Sequence, residues 1–555
     1  MQNISLQKGS DNGYESQNRK SRTKRRTKAF AAAVMGKPSG QIQERVKQAG
    51  PEHFGVVSVD CAKDRSKWML ADFYGRVLIP PTSVEHRRSE IQLALLTLKQ
   101  AVEKHGIKDT IVAVEMTRTY HQIIWRAFRT AGYDTRIVHP FASSHYRAPE
   151  HGDIKTDDND LVAIFRAAVN GFGLLDQPWD DVYRCLQMLV RHRRDLVNKR
   201  AKLQCQIRHH LERSLPGYTN AFPDDSLWTQ PVALKVLQYI AEHGGTHQAL
   251  LDVEIPGVSK WLKQQNVAFQ SRSVGRIVAW AGNAVVGDPM RSMMTRIWQS
   301  LLIDWQQKTQ QIIALERDIA SLLVQTPWVL LMSHPGINVV SAAELAAETG
   351  PIEHYASSKA ITGRAGLFPS RYQSDGVDRG GNLSRFRNAR MRGAWLLAAE
   401  CLLKCNDYWR GKFNFWKTQG HDSRDIRVRI ANRFTRTVFQ MVAGRKVFNH
   451  RSRLDRSYIL DKLLTFHREH DTPMAEILTD LKSATDQLPK HAYADEAKPL
   501  QEVQRKSFRS RRNEPQQLGT LLVGLLARLG VTIQPPALQS VPLEAPAADS
   551  DKGDR

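Results

Sequence analysis

Phe54-Gly-Val-Val-Ser-Val-Asp60 and Thr110-Ile-Val-Ala-Val-Glu115 each read as a short apolar strand that ends on a carboxylate. Between them, residues 66–74 and 76–79 read as two further strands turning about Gly75. Residues 89–105 follow with helical spacing at Ile91, Leu95, Leu98 and Val102. After Glu115 the pattern predicts a helix over 120–131, a strand over 135–138 and a helix from Asp157 to about Asn170. A hairpin followed by alternating strands and helices indicates a mixed α/β sheet.

Four acids fall at telling places in that pattern. Asp60 and Glu115 end strands, and Asp157 and Asp160 open a helix. In an open α/β sheet, strand ends and helix starts converge on one edge. Carboxylates gathered there repel one another unless a cation joins them. Mg²⁺ accepts hard oxygen ligands and keeps positions open for phosphate oxygens. Two such ions form the usual phosphoryl-transfer clamp. Singly, each acid reads as a cap or surface group, and Asp157 as a helix N-cap.

Beyond the sheet the period changes. Val182, Leu186, Leu189, Arg193, Leu196, Arg200, Leu203 and Ile207 recur in steps of four and three, as do Leu301, Trp305, Lys308, Ile312, Leu315, Ile319 and Leu322. Such seams predict two long helices, coiled-coil in style, packed on each other or on a partner chain. The first carries nine Lys/Arg against two Asp/Glu between residues 182 and 214, which favours a rod facing a polyanion. Residues 216–295 read as an irregular helical insertion. A third unit opens with Ser333-His-Pro-Gly-Ile-Asn338, a helical hairpin whose turn could offer amides to a phosphate or serve structure alone.

Charge narrows the partners. The 555 residues hold 80 Lys+Arg and 56 Asp+Glu, a formal net charge of +24, which points to a polyanion. Eleven Lys/Arg against three Asp/Glu fall in residues 1–50, centred on Lys24-Arg-Arg-Thr-Lys28. That arm reads equally as a nucleic-acid contact and as a solubilising tail. No stretch reaches the ~20 apolar residues of a membrane span, and the start lacks a signal-peptide core. Five cysteines form no CxxC pair, which fits a reducing cytoplasmic, nucleoid-associated setting. Cys401 and Cys405 read as core residues. Trp409, Phe413, Phe415 and Trp416, set among Arg410, Lys412 and Lys417, read as a base-stacking platform or a core edge.

Val57-Ser-Val-Asp60-Cys-Ala-Lys63, Val112-Ala-Val-Glu115 and Lys155-Thr-Asp157-Asp-Asn-Asp160 resemble the DEDD transposases of bacterial insertion sequences, the insertion-sequence 110 family. His334-Pro-Gly-Ile337, Gly366-Leu-Phe-Pro369, Gln373-Ser374-Asp-Gly376 and the basic amphipathic segment 424–444 are similar to that family's C-terminal transposase domain. The resemblance covers residues 54–173 and 328–448. It implies a RuvC-like, RNase H-fold N-terminal domain and a C-terminal transposase domain; joined with the seams, the fold expected is that α/β domain, a long coiled-coil helical region and a mainly α-helical C-terminal domain. The units expected are a basic flexible arm (1–53), the RuvC-like catalytic domain (54–180), the coiled-coil region (181–327), the transposase domain (328–448), a basic helical extension (449–534) and a disordered tail (535–555).

The same resemblance implies a composite site in which Asp60, Glu115, Asp157 and Asp160 hold Mg²⁺ (or Mn²⁺) and Ser374 is the nucleophile. Without it, Ser374 reads as a turn serine before Asp-Gly. The implied activity is bridge-RNA-guided recombination of donor and target double-stranded DNA by a dimer or tetramer, with no membrane partner. Two alternatives stay open, a RuvC-like nuclease using metal-activated water and a non-catalytic nucleic-acid scaffold. The sequence departs from the family where Leu161 follows Asp160, where Asp375 separates Ser374 from Gly376, and where Arg387-Asn388 stands for the usual Gly-Asn. No His or Lys stands out as general acid or base.

Overall fold

The computed structural model describes residues 42–117, 119–147, 156–171, 173–175, 179–222, 227–374, 377–385, 387–448, 457–489 and 518–531. The arm before residue 42, the basic run 505–512 and the tail from 535 lie outside the described residues. Two compact units divide the chain, Met1–Pro178 and Trp179–Arg555. No described helix is long and apolar enough to cross a membrane.

The first unit is built on a six-stranded sheet of order β3-β2-β1-β4-β5-β6. Strands β1 (Phe54–Cys61), β2 (Arg65–Asp72) and β3 (Val77–Glu85) form an antiparallel meander. Helix α2 (Arg88–Lys104) carries the chain to β4 (Asp109–Glu115), which lies parallel to β1. Helix α3 (His121–Thr130) leads to β5 (Asp134–Val138), parallel to β4, and β6 (Gly173–Leu175) closes the edge antiparallel to β5. The third strand runs farther than residues 76–79 because it is an edge strand, where Pro80 and Pro81 cost no ladder bond.

Period-two alternation explains both layers. Val57, Val59, Val112 and Val114 point into one core with Leu98, Ile124 and Phe128. Phe54, Val56, Ile111 and Ala113 point into the other, with Ile164 and Ala167 of helix α5 (Asp157–Val169). That second face also buries Ile42, Val46 and Ala49, with Val46 and Ala49 on helix α1 (Gln43–Ala49). These residues fall within the expected arm but are folded. Arg45 grips Asp109 at 2.7 and 2.6 Å and Asp134 at 2.5 Å, stitching α1 across β4 and β5.

In the second unit, α6 (Asp181–Ser214) and α11 (Arg291–Leu323) are the two long helices, and they pack on each other antiparallel within the chain. Arg193 meets Glu316 near one end, and Trp298 Nε1 donates to Ser214 Oγ at 3.2 Å near the other. The seams therefore close intramolecularly. Tyr183 and Val190, off the expected seam, are buried because α12 (Val339–Thr349) covers a further side of α6. Of the nine cations on α6, Arg184, Arg191, Arg193, Arg194, Lys199 and Arg213 are in ion pairs within the unit. The face expected to meet a polyanion is thus largely balanced internally.

Helices α7 (Pro231–Glu242), α8 (Gln248–Leu251), α9 (Glu254–Gln264) and α10 (Ser271–Gly282) form the insertion, whose own core takes Ile207, Leu211, Trp298 and Leu302 from the far end of the long pair. The near end joins a separate core with α12, α13 (Ser358–Ala365), α14 (Ala389–Cys405), α15 (Asp407–Thr418) and α16 (Ser423–Ala443). Helices α17 (Ser457–Glu469), α18 (Met474–Gln487) and α19 (Leu518–Arg528) complete the same core through Ile459, Leu463, Ile477 and Leu525. Trp409 and Trp416 lie in this core and only Phe415 is well exposed, so the aromatic group is chiefly a core edge. Cys405 is exposed and Cys401 half-buried, against the expected core placement, because the buried stripe of α14 runs through Trp395, Ala399 and Leu402.

Candidate active site

Asp60 and Glu115 meet because their strands run parallel. Val59 pairs with Val114, so the next step places the two carboxylates side by side. Both belong to the strand faces covered by α5, whose first turn carries Asp157 and Asp160. Burial, then Glu115, Asp160 and Asp157 as like charges, raise the Asp60 carboxyl to about 6. The four sequence-predicted acids therefore share one electrostatic environment.

Helix α5 starts where it does because Thr156, not Asp157, is the N-cap, its side chain accepting from Asn159 N at 3.2 Å. Asp157 is exposed and Asp160 buried. Leu161, the departure beside it, is fully buried in the helix–sheet packing.

Three further side chains neighbour these acids. Ser143, on the short helix α4 (Pro140–His145), donates to Glu115. Arg147 Nε donates to Asp160 Oδ1 at 2.8 Å. Lys67, opposite Asp60 on β2, pairs with Asp158 at 2.6 Å. Lys67 had a signal, since it is the one cation in the strand expected over residues 66–74. Ser143 and Arg147 had none, because the distance in sequence is bridged only by the fold.

Among the described residues no three acidic, imidazole or thiol groups stand as a ready metal cluster. Asp160 is instead paired with the protein's own Arg147. The donors themselves suit a hard divalent ion: all are carboxylate oxygens, and Asp60 and Glu115 are adjacent acids whose mutual repulsion such an ion relieves.

Ser374 lies in the second unit, at the end of strand β7 (Pro369–Ser374), where it pairs with Val377 of β8 (Val377–Leu383). The two strands form an exposed ribbon. Its base is held firmly. Gly366 caps α13 in the left-handed region, with φ of 63°, a conformation glycine adopts without strain. Arg392 of α14 donates to the carbonyls of Ala365 at 3.0 Å, and of Gly366 and Ser384 both at 2.6 Å. Asn432 of α16 donates to the Leu367 carbonyl at 2.6 Å. Asn388, from the altered Arg387-Asn388 pair, caps α14 by accepting from Met391 N. Asp375 and Gly376 lie outside the described residues.

The His334–Ile337 turn is not a phosphate site. His334 is fully buried, and α12 is capped by its own Asn338–Ser341 box. Gly336 has φ of 93°, and a Cβ there would stand 3.0 Å from the Cys401 carbonyl of α14. Lys462 of α17 donates to the carbonyls of Met332, His334 and Ile337 at 2.7, 3.2 and 2.7 Å.

With this geometry in place, residues 57–216 match a DEDD transposase family, and residues 329–414 match the transposase family IS116/IS110/IS902. The comparisons support an IS110-type transposase. A protein of insertion element IS116 from Streptomyces clavuligerus, described as an uncharacterized 44.8 kDa protein, is 26% identical over 248 residues. That alignment covers 44% of this chain and 60% of the relative. The four acids fall in the DEDD transposase segment, which suggests use of a divalent metal, and Ser374 falls in the other transposase segment.

Proposed function

We propose that the chain is the transposase of a mobile insertion sequence, a DNA recombinase guided by a noncoding bridge RNA. The observation that most supports this is the meeting of Asp60 and Glu115 beside the acidic start of α5, in the segment matching a DEDD transposase. Bound Mg²⁺, or Mn²⁺ in its place, would be held by Asp60, Glu115, Asp157 and Asp160 and would neutralise charge at the scissile phosphate.

Ser374 Oγ attacks that phosphate in DNA. The Oγ–P bond forms, the P–O3′ bond breaks, the serine proton passes to solvent and the departing 3′ oxygen gains one. The resulting phosphoserine link retains the phosphodiester's energy, so strands are exchanged and rejoined without ATP. The acids and Ser374 belong to different units, so on this reading cutting waits until both engage the same DNA, an induced-fit logic. The excess of cations, +24 overall, serves nucleic-acid backbone, while base pairing with the guide reads sequence. Exchange of donor and target duplexes needs several sites, hence a dimer or tetramer.

One observation favours a second reading. All four acids lie within a single unit, enough for a nuclease that uses activated water while Ser374 is structural. Supercoiled plasmid carrying the element's ends tests the main reading: Mg²⁺-dependent cutting, lost with EDTA or in Asp60→Asn, is expected, together with one discrete co-purifying RNA. Cutting unaffected by either change would remove the DEDD assignment, and the lack of a discrete RNA would remove guidance.

A further inference from the structure

The β7–β8 ribbon has two faces, and they carry different chemistry. Ser374 pairs with Val377, Gln373 with Asp378, Tyr372 with Arg379 and Arg371 with Gly380. Opposed residues share a face and alternate along each strand. One face therefore carries Tyr372, Ser374, Val377 and Arg379. The other carries Arg371, Gln373 and Asp378. Two contacts confirm this register. Arg371 Nε donates to Asp378 Oδ1 at 2.6 Å, with a second bond between the same groups. Across the ribbon, a Cβ built on Gly381 would stand 2.4 Å from Ser370 Oγ.

The two ribbon arginines are thus not equivalent. Arg371 is held in a bidentate pair on the face away from Ser374, and that pair cancels its charge. Arg379 is exposed, and no ion pair or hydrogen bond engages its side chain among the described residues. It is the diagonal neighbour of Ser374, a separation of about 7–8 Å that a long side chain spans. Resting on the serine reading above, the geometry points to Arg379 as the group that grips the phosphate attacked by Ser374. Its planar fork matches two non-bridging phosphate oxygens and meets the charge that grows on them as the Oγ–P bond forms. No proton leaves the guanidinium, so Arg379 is a charge donor and not a base. Arg371 instead stiffens the ribbon. Tyr372, directly opposite Arg379 and 64% exposed, completes the same face as an apolar wall for the adjoining nucleotide.

The test uses the full chain with its co-purified RNA and a labelled duplex from the element's end. Wild-type chain first locates the phosphate that becomes protein-linked. The duplex is then rebuilt with an uncharged methylphosphonate at that position. On ordinary DNA, Arg379→Gln should form the adduct about 100-fold more slowly than wild type, the usual loss for one transition-state donor. Arg379→Lys should fall between them, because it keeps the charge but loses the fork. Arg371→Gln should stay within about fivefold of wild type, and DNA affinity should be unchanged in all three. On methylphosphonate DNA, Arg379→Gln and wild type should differ by less than about fivefold, because the charge that Arg379 meets is gone. An Arg379→Gln variant as fast as wild type on ordinary DNA, a loss of the same size in Arg371→Gln, or an Arg379→Gln deficit relative to wild type that is as large on methylphosphonate DNA as on ordinary DNA would overturn the inference while leaving Ser374 in place. No wild-type adduct, or one from Ser374→Ala, would remove the serine reading and this inference together.

Discussion

Asp60 shows how one residue reports on a whole site. Its carboxyl titrates near 6 because burial and three neighbouring acids disfavour its charge. A carboxyl whose folded value lies above its unfolded one binds its proton more tightly in the native state. In metal-free protein, its contribution to stability is therefore present at low pH and lost as pH rises from about 4 through about 6. Asp60→Asn should abolish DNA cutting, keep the fold, and flatten that part of the stability curve. Thermal unfolding in EDTA across that pH range checks this, and an identical pH profile in the variant would contradict the electrostatic account. The strand-end acids were legible in sequence because a period-two apolar run has a definite end. Arg147 and Ser143 were not, since nothing local marks a side chain that reaches a partner on another element.

At the scale of elements, the ribbon base and the long helix pair carry the sharpest expectations. Arg392 ties three carbonyls from two segments around the ribbon. Arg392→Met should leave these acceptors without their charged donor, at a cost of about 1–3 kcal/mol. Faster proteolysis within residues 369–383, with the helical content retained, is the expected result. Ile319 is fully buried where α11 enters the transposase core, so Ile319→Ala should cost about 2–5 kcal/mol by urea unfolding. The seams themselves were legible from their steps of three and four. Their partner was not, because heptad spacing is satisfied equally by a neighbour in the same chain or in another. Asp at Leu315 and Leu322, both half-buried on α11, should lower stability without changing the mass of the folded oligomer measured by light scattering. A change of mass at unchanged stability would put the seam at a subunit interface.

At the scale of the molecule, the segment after Phe448 is the main surprise. Scattered helical stretches gave no hint that they belong to the transposase core. Their apolar residues are spaced for a helix, but only tertiary packing says which surface they cover. Ile459, Leu460, Leu463 and Leu464 are buried, and Lys462 closes the His334–Ile337 turn. Each buried aliphatic side chain contributes about 1.5–3 kcal/mol. Four together rival the ~5–15 kcal/mol net stability of a domain. A chain ended after residue 448 should therefore be insoluble or unfolded, and a soluble fragment with full helical content would show the extension to be dispensable.

The central claim joins the acids of one unit to the serine of the other. Its most direct measurement is peptide mapping of the labelled DNA–protein adduct formed with Mg²⁺ present, in wild type, Asp60→Asn and Ser374→Ala. The account predicts label on Ser374 in wild type and none in either variant. Label on another residue, or an undiminished adduct in either variant, would contradict it.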